Sequence, residues 1–224
     1  METTKARLLK AAHYASSSYS DNLTEGILIE DVCTDAQAYI FHTDTEYDVV
    51  VAFRGTSSKK DVLIDMNIRR VIPEFCKQHN ITARIHKGFY LQYESIRDKL
   101  MQHIESSNVK RVLVSSHSLG AALGTLFSLD VGLNNPNVNI DCISFGCPRV
   151  GCNKFAKIYK KIVINNTRCV HNNDIVTKIP LALRFKHVHG KLKLKTLSKN
   201  WRPTPIKDHD MDNYITAINQ LSLN

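Results

Sequence analysis

The chain has 224 residues, 43% of them hydrophobic, and a formal net charge of +9. That is enough apolar material for one domain with a sizeable core, and a single domain over 1–224 is expected. No run of 18 apolar residues occurs, and the N-terminal "METTKARLLKAAHYASSSYS" lacks the apolar core of a secretory signal. No membrane-spanning helix is therefore expected, and the resulting expectation is a cytoplasmic or peripheral-membrane location. The six cysteines (Cys33, Cys76, Cys142, Cys147, Cys152 and Cys169) form no C-x-x-C pair, so reduced thiols are expected. The positive charge is concentrated. Residues 175–207 contain no acid but carry Lys178, Arg184, Lys186, Lys191, Lys193, Lys195, Lys199, Arg202 and Lys207, while the rest of the chain balances. A solvated basic face and an attraction to an anionic membrane surface both fit that pattern. No nucleic-acid partner is expected, and composition does not give an oligomeric state.

Taken in order, Leu8, Ala11, Ala12 and Ala15 recur at helical spacing and predict a first helix. "AQAYIFHTD" and "YDVVVAFRG" predict two strands joined by a short polar turn. In "GFYLQYESIRDKLMQHIESS" the residues Phe89, Tyr93, Ile96, Leu100 and Ile104 make one helical face. "VKRVLVSS" is continuously apolar at its centre, as a buried parallel strand requires. "LGAALGTLFSLDVGL" predicts the next helix, "NIDCISFG" a strand, "NKFAKIYKKI" a helix and "TRCVHNND" a strand with a polar end. "HVHGKLKLKT" alternates and predicts a strand or a hairpin; "MDNYITAINQL" predicts a C-terminal helix. Strands alternating with helices argue for an α/β fold with a mostly parallel central sheet flanked by helices.

"VLVSSHSLGAALGTL", from Val112 to Leu126, reads as strand, sharp turn and helix, with Ser118 at the corner. A serine hydroxyl needs a base for its proton and donors for the developing oxyanion. A strand-to-helix elbow exposes the hydroxyl and aims helix N-terminal amides at the reacting oxygen. The usual pattern is G-x-S-x-G; here it is S-H-S-L-G, with Ser116, His117 and Gly120 around the serine. Ser116 brings an extra CH2OH into a crowded place, which small neighbours such as Ala121, Ala122 and Gly124 would tolerate. A buried helix-packing turn without chemistry would look similar.

Further segments occur in a recognisable order: "VVVAFRGTSSKKDVLIDM", "IHKGFYLQY", "ISFGCPRVG", "HNNDIVTKIP" and "DHDMDNY". With the elbow, they make the chain resemble the class 3 lipases, the fungal-lipase-like branch of the α/β-hydrolases, over about residues 47 to 215. The resemblance implies an α/β-hydrolase fold and a serine hydrolase of lipid carboxylic esters, such as a tri- or monoacylglycerol lipase or a phospholipase A. A soluble carboxylesterase or thioesterase, and a non-catalytic scaffold that binds a lipid or protein, are the rival readings. Neither a metal nor an organic cofactor is expected. Ser116, Ala121, Val62 and Cys152 depart from the usual family residues without removing a reacting group.

Asp174 stands at the polar end of "TRCVHNND" and matches the family's aspartate segment; Asp130 and Asp141 sit too far down a helix and at the wrong end of a strand. Ten histidines compete for the base. His209 in "DHDMDNY" matches the family's histidine, with His187 the runner-up. His187 and His189 share a strand face, which permits a metal pair but favours packing. His117 is expected to direct its ring away from the chemistry. Asp208, Asp210 and Asp212 are expected to cap the last helix. For the oxyanion, the Leu119 N–H is one donor and Thr56 in "FRGTSS" the other. Arg54 is expected to pair with a carboxylate, Asp65 being the candidate, and His86 and Gly88 to pack the chain near the site. Finally, "SSKKDVLIDMNIRRVIPEFCKQHN" is apolar and interrupted by cations. By resemblance it includes a lid after the Arg54–Thr56 loop, with Val62, Leu63, Met66 and Ile68 as substrate-facing candidates; simple burial is the alternative. The basic 175–207 segment is expected near the mouth of the site.

Overall fold

The computed structural model describes residues 4–20, 23–43, 46–56, 69–106, 108–196 and 206–221. Its centre is a seven-stranded sheet in the order β1-β2-β3-β6-β7-β8-β9. The strands are β1 (Ile27–Asp31), β2 (Ala36–His42), β3 (Val49–Phe53), β6 (Arg111–His117), β7 (Asn139–Phe145), β8 (Asn165–His171) and β9 (Lys191–Leu194). β1, β2 and β3 pair antiparallel, and every pairing from β3 to β9 is parallel. A two-stranded ribbon of β4 (Arg70–Val71) and β5 (Ile85–His86) stands apart.

Alternation along the central strands explains why both sheet faces are covered. Val49, Val51, Phe53, Val112 and Val114 belong to one core, with α3 (Lys87–Ser106), α4 (Ser118–Asn134) and α5 (Asn153–Ile162). Val50, Ala52 and Leu113 belong to the other, under α1 (Thr4–Ser17) and α6 (Met211–Asn219). The five apolar positions predicted for α3 are all buried, as are the four of α1. Two polar devices pin the outer helices. Asp130 in α4 accepts hydrogen bonds from Tyr93 and Arg97 of α3, and Asp141 in β7 accepts from Tyr47 and Arg7.

Three features resolve or go beyond what the sequence pattern gives. The alternating segment at 187–196 is no hairpin: only Lys191–Leu194 forms a strand, and it extends the parallel sheet beside β8. The edge strand β1, the β4–β5 ribbon and the short helix α2 (Glu74–Gln78) carry too few residues to announce themselves by periodicity. The segment after Thr56 divides. Phe75 and Cys76 are buried in the core and Val71 and Ile72 pack against it, as the burial alternative holds. The lid candidates Val62, Leu63, Met66 and Ile68 lie outside the described residues. All six cysteines are unpaired, and burial pushes the thiols of Cys76, Cys147 and Cys169 up to about 12.

Candidate active site

β6 ends at His117 and α4 begins at Ser118, so the serine occupies the corner itself. Its φ of 58° lies in the left-handed region, a strained conformation for a non-glycine residue. Close packing holds it there. A Cβ at Gly120 would lie 2.5 Å from the Phe53 and Arg54 carbonyl oxygens, so only glycine lets α4 approach the end of β3. One turn later Gly124 faces Ser116, where an added Cβ would sit 3.0 Å from the Ser116 hydroxyl. Gly124 thus makes the room that Ser116 uses. The Ser116 hydroxyl is fully buried and finds no hydrogen-bond partner among the described residues.

From this corner runs a continuous polar chain. The Ser118 hydroxyl lies 2.7 Å from His209 Nε2, and His209 Nδ1 lies 2.8 Å from Asp174 Oδ2. A carboxylate accepts, so Nδ1 carries the ring proton and Nε2 is free to accept from the serine. Asp174 follows the end of β8 in a turn, and its Oδ1 accepts from the Val176 N–H at 2.8 Å. Tyr214 on α6 donates to Asp174 Oδ2 at 2.6 Å and accepts from the His171 N–H. Burial and the adjacent Asp174 charge push the Tyr214 phenol well above its ordinary range, which keeps it a donor. Gly146, at φ 64°, lets β7 pass directly beside the pair: a Cβ there would fall 2.7 Å from the His209 ring and 2.8 Å from Asp174 Oδ2. Neither Tyr214 nor Gly146 was singled out among the sequence candidates. Their parts depend on neighbours that no local pattern reveals.

The Arg54–Thr56 loop crosses the elbow closely enough that a Cβ at Gly55 would lie 2.9 Å from Ser118 Cβ. The Thr56 hydroxyl is buried, has no partner among the described residues and lines the same cleft as Ser118. Leu119 follows Ser118 in the first turn of α4, where backbone N–H groups lack intrahelical acceptors. The cleft encloses about 540 Å³, and Tyr19, Arg54, Thr56, His117, Ser118, His209, Asp210 and Asp212 are among the residues that line it. Among the described residues, no cation of 175–207 lines the cleft.

Other candidates fall elsewhere. His117 does not turn away from the chemistry; its ring stacks on His209 at 4.6 Å. The runner-up base His187 hydrogen-bonds the Thr177 carbonyl, and burial, helped by Arg168, pushes its pKa down to about 3. His189 reaches the Ile164 carbonyl instead, and no metal-holding cluster occurs among the described residues. Asp208 caps nothing: it is fully buried and accepts from the Asn173 N–H, and Asp210 at the helix N-cap makes no capping bond. Asp130 and Asp141 are held by the partners given above, away from Ser118. Arg54 lies over the Tyr19 ring, while Asp65 lies outside the described residues. His86 packs against Phe89 and Phe185, with Gly88 beside it.

The class 3 lipase family model matches residues 50–184. A lipase of Rhizopus niveus is 27% identical over 84% of this chain and 50% of its own length. The secreted mono- and diacylglycerol lipase A of Penicillium cyclopium is 32% identical over 71% of this chain and 52% of its own. The chain therefore spans about half the length of these curated relatives. Among solved structures, a Rhizomucor miehei lipase propeptide complex superposes with a TM-score of 0.74 at 23% identity, covering 87% of this chain and 70% of the other. A mono- and diacylglycerol lipase of Aspergillus oryzae gives a TM-score of 0.68 at 23% identity, covering 91% and 84%. These neighbours share the α/β-hydrolase fold. Several relatives are named as secreted lipases, which overturns the cytoplasmic or peripheral-membrane location expected above. By the family match and the fold, this chain belongs to the class 3 lipases.

Proposed function

We propose that the chain hydrolyses carboxylic esters of lipids, with Ser118 as nucleophile, His209 as general base and acid, and Asp174 as the carboxylate that holds His209. The observation that carries this reading is the unbroken hydrogen-bonded chain from Ser118 through His209 to Asp174. Ser118 Oγ attacks the ester carbonyl carbon as its proton passes to His209 Nε2. The tetrahedral oxyanion is held by the Leu119 N–H and by Thr56, whose hydroxyl is otherwise unused. His209 then returns the proton to the departing alcohol as the carbonyl–oxygen bond breaks, leaving an acyl-serine. Water, deprotonated by His209, releases the carboxylic acid and regenerates Ser118. Residues 1–224 act as one domain in this scheme.

The substrate class follows the names of the relatives, mono- and diacylglycerol lipases among them. Val62, Leu63, Met66 and Ile68 belong to a lid over the acyl chain in this reading. The segment 175–207 meets an anionic lipid interface in this reading. Its cations, together with the exposed Leu181 and Leu183, favour that contact. Hydrolysis of mono-, di- and triacylglycerol and phosphatidylcholine emulsions, with Ser118→Ala as control, tests the reading. Release of fatty acid from an acylglycerol by the wild type alone supports it; equal release by Ser118→Ala refutes it. Equal sedimentation with neutral and anionic vesicles at low salt refutes the interface contact.

A further inference from the structure

His209 is held at more than its ring. Its carbonyl oxygen lies 2.8 Å from His117 Nε2, and the two imidazoles stack at 4.6 Å with 29° between planes. On the far side of His117, Nδ1 lies 2.7 Å from the Tyr19 hydroxyl. The directions of these bonds follow from the groups themselves. A carbonyl only accepts, so His117 Nε2 carries a proton and donates it to His209. In the neutral ring Nδ1 then accepts, and the Tyr19 hydroxyl supplies the hydrogen. The Tyr19 oxygen also packs against Gly55, where an added Cβ would collide with it, and its ring lies beneath the Arg54 guanidinium. Tyr19 follows α1, 98 residues away from His117, and shares a wall of the cleft with Thr56 and Ser118.

Resting on the hydrolase reading above, we infer that Tyr19 and His117 are positioning residues of this site: they hold His209 by its backbone and one ring face, and tie it to the Gly55–Thr56 loop. The base and the oxyanion loop are then set in register by one phenol. Asp174 orients the His209 ring at Nδ1, and the His117 plate stops the same ring from tilting. Several neighbours brace this arrangement. Asp208 offers its carbonyl to His171 Nδ1 and its carboxylate to the Asn173 N–H, so the end of β8 with the turn holding Asp174 and the turn holding His209 are locked together. Tyr214 contacts the His117 ring edge at 6.2 Å between centroids.

Hydrolysis of the soluble ester p-nitrophenyl butyrate by Tyr19→Phe, His117→Phe and the double variant tests the inference. Melting curves and 15N-edited histidine spectra of the same proteins accompany it. Each single variant is expected to fold and to lose roughly tenfold in kcat with KM within about twofold. The double variant is expected to lose no more than the weaker single variant, because both act through one chain. Unchanged kcat in folded Tyr19→Phe, or losses that multiply, would overturn the assignment. The spectra stand apart from activity. Wild-type His117 is expected as the Nε2–H tautomer, with its Nδ1 signal moving in Tyr19→Phe; an Nδ1–H tautomer refutes the chain of bonds. A wild type that hydrolyses no ester, yet shows this tautomer, would fail the proposed function and leave the positioning geometry standing.

Discussion

Gly146→Ala places one methyl group where β7 passes the His209–Asp174 pair. The added Cβ would stand 2.7 Å from His209 Cε1 and Nδ1 and 2.8 Å from Asp174 Oδ2. Restoring ordinary contact, near 3.4 Å, requires a displacement of about 0.7 Å from the methyl group, the ring or both. The ring has little freedom, because Ser118, Asp174 and the His117 stack all bear on it. Moving it by that amount away from Ser118 stretches the 2.7 Å bond to about 3.4 Å, longer than an ordinary hydrogen bond. Misplacement on this scale costs about 100-fold in rate. Separately, alanine at φ 64° loses about 1–2 kcal/mol relative to glycine. The expected outcome is a folded protein with a melting temperature lowered by a few degrees and kcat/KM for p-nitrophenyl butyrate down about 100-fold. Activity within threefold of wild type in a folded Gly146→Ala would refute the claim that this ring position is tightly held.

Two further predictions come from groups outside the reacting chain. Ser116→Gly removes a buried hydroxyl without a partner, relieving a desolvation cost of about 1–3 kcal/mol while giving up packing and adding backbone freedom. Stability within about 1 kcal/mol of wild type in urea titration and kcat within twofold are expected; a large loss of either would mean the hydroxyl has a role. His187 has its folded pKa depressed to about 3, so the unfolded chain binds a proton below its ordinary pKa of 6.5 while the folded chain does not. Its contribution to stability is therefore present above pH 6.5 and lost as pH falls towards 3, at up to about 1.4 kcal/mol per pH unit. His187→Asn is expected to flatten the stability curve between pH 6 and 4 by about one proton; an unchanged slope would contradict the depressed pKa.

The parts of this site that local chemistry dictates were legible beforehand. Ser118 has to sit where an apolar strand meets a small-residue helix, and Gly120 and Gly124 mark where that helix presses on β3 and Ser116. The helix faces of α1 and α3 follow from periodicity alone. Asp174 and His209 needed the wider order of motifs, since 35 residues separate them and ten histidines compete. Tyr19, Tyr214 and Gly146 were invisible because each acts on a residue remote in sequence. The same reason explains the misreadings. Asp208 looks like a helix-capping acid by position but is drawn inward to the Asn173 N–H. His117 faces the base because the elbow turns it there. For 187–196 the strand alternative holds, because β8 offers a parallel edge.

The central claim is that Ser118 is the nucleophile activated by His209. Treatment of the intact protein with a fluorophosphonate, followed by peptide mass spectrometry, tests it most directly. The expected result is a single adduct on the peptide containing Ser118, lost in Ser118→Ala and slowed at least 100-fold in His209→Ala. An adduct on another serine, or equal labelling of Ser118→Ala, would contradict the account.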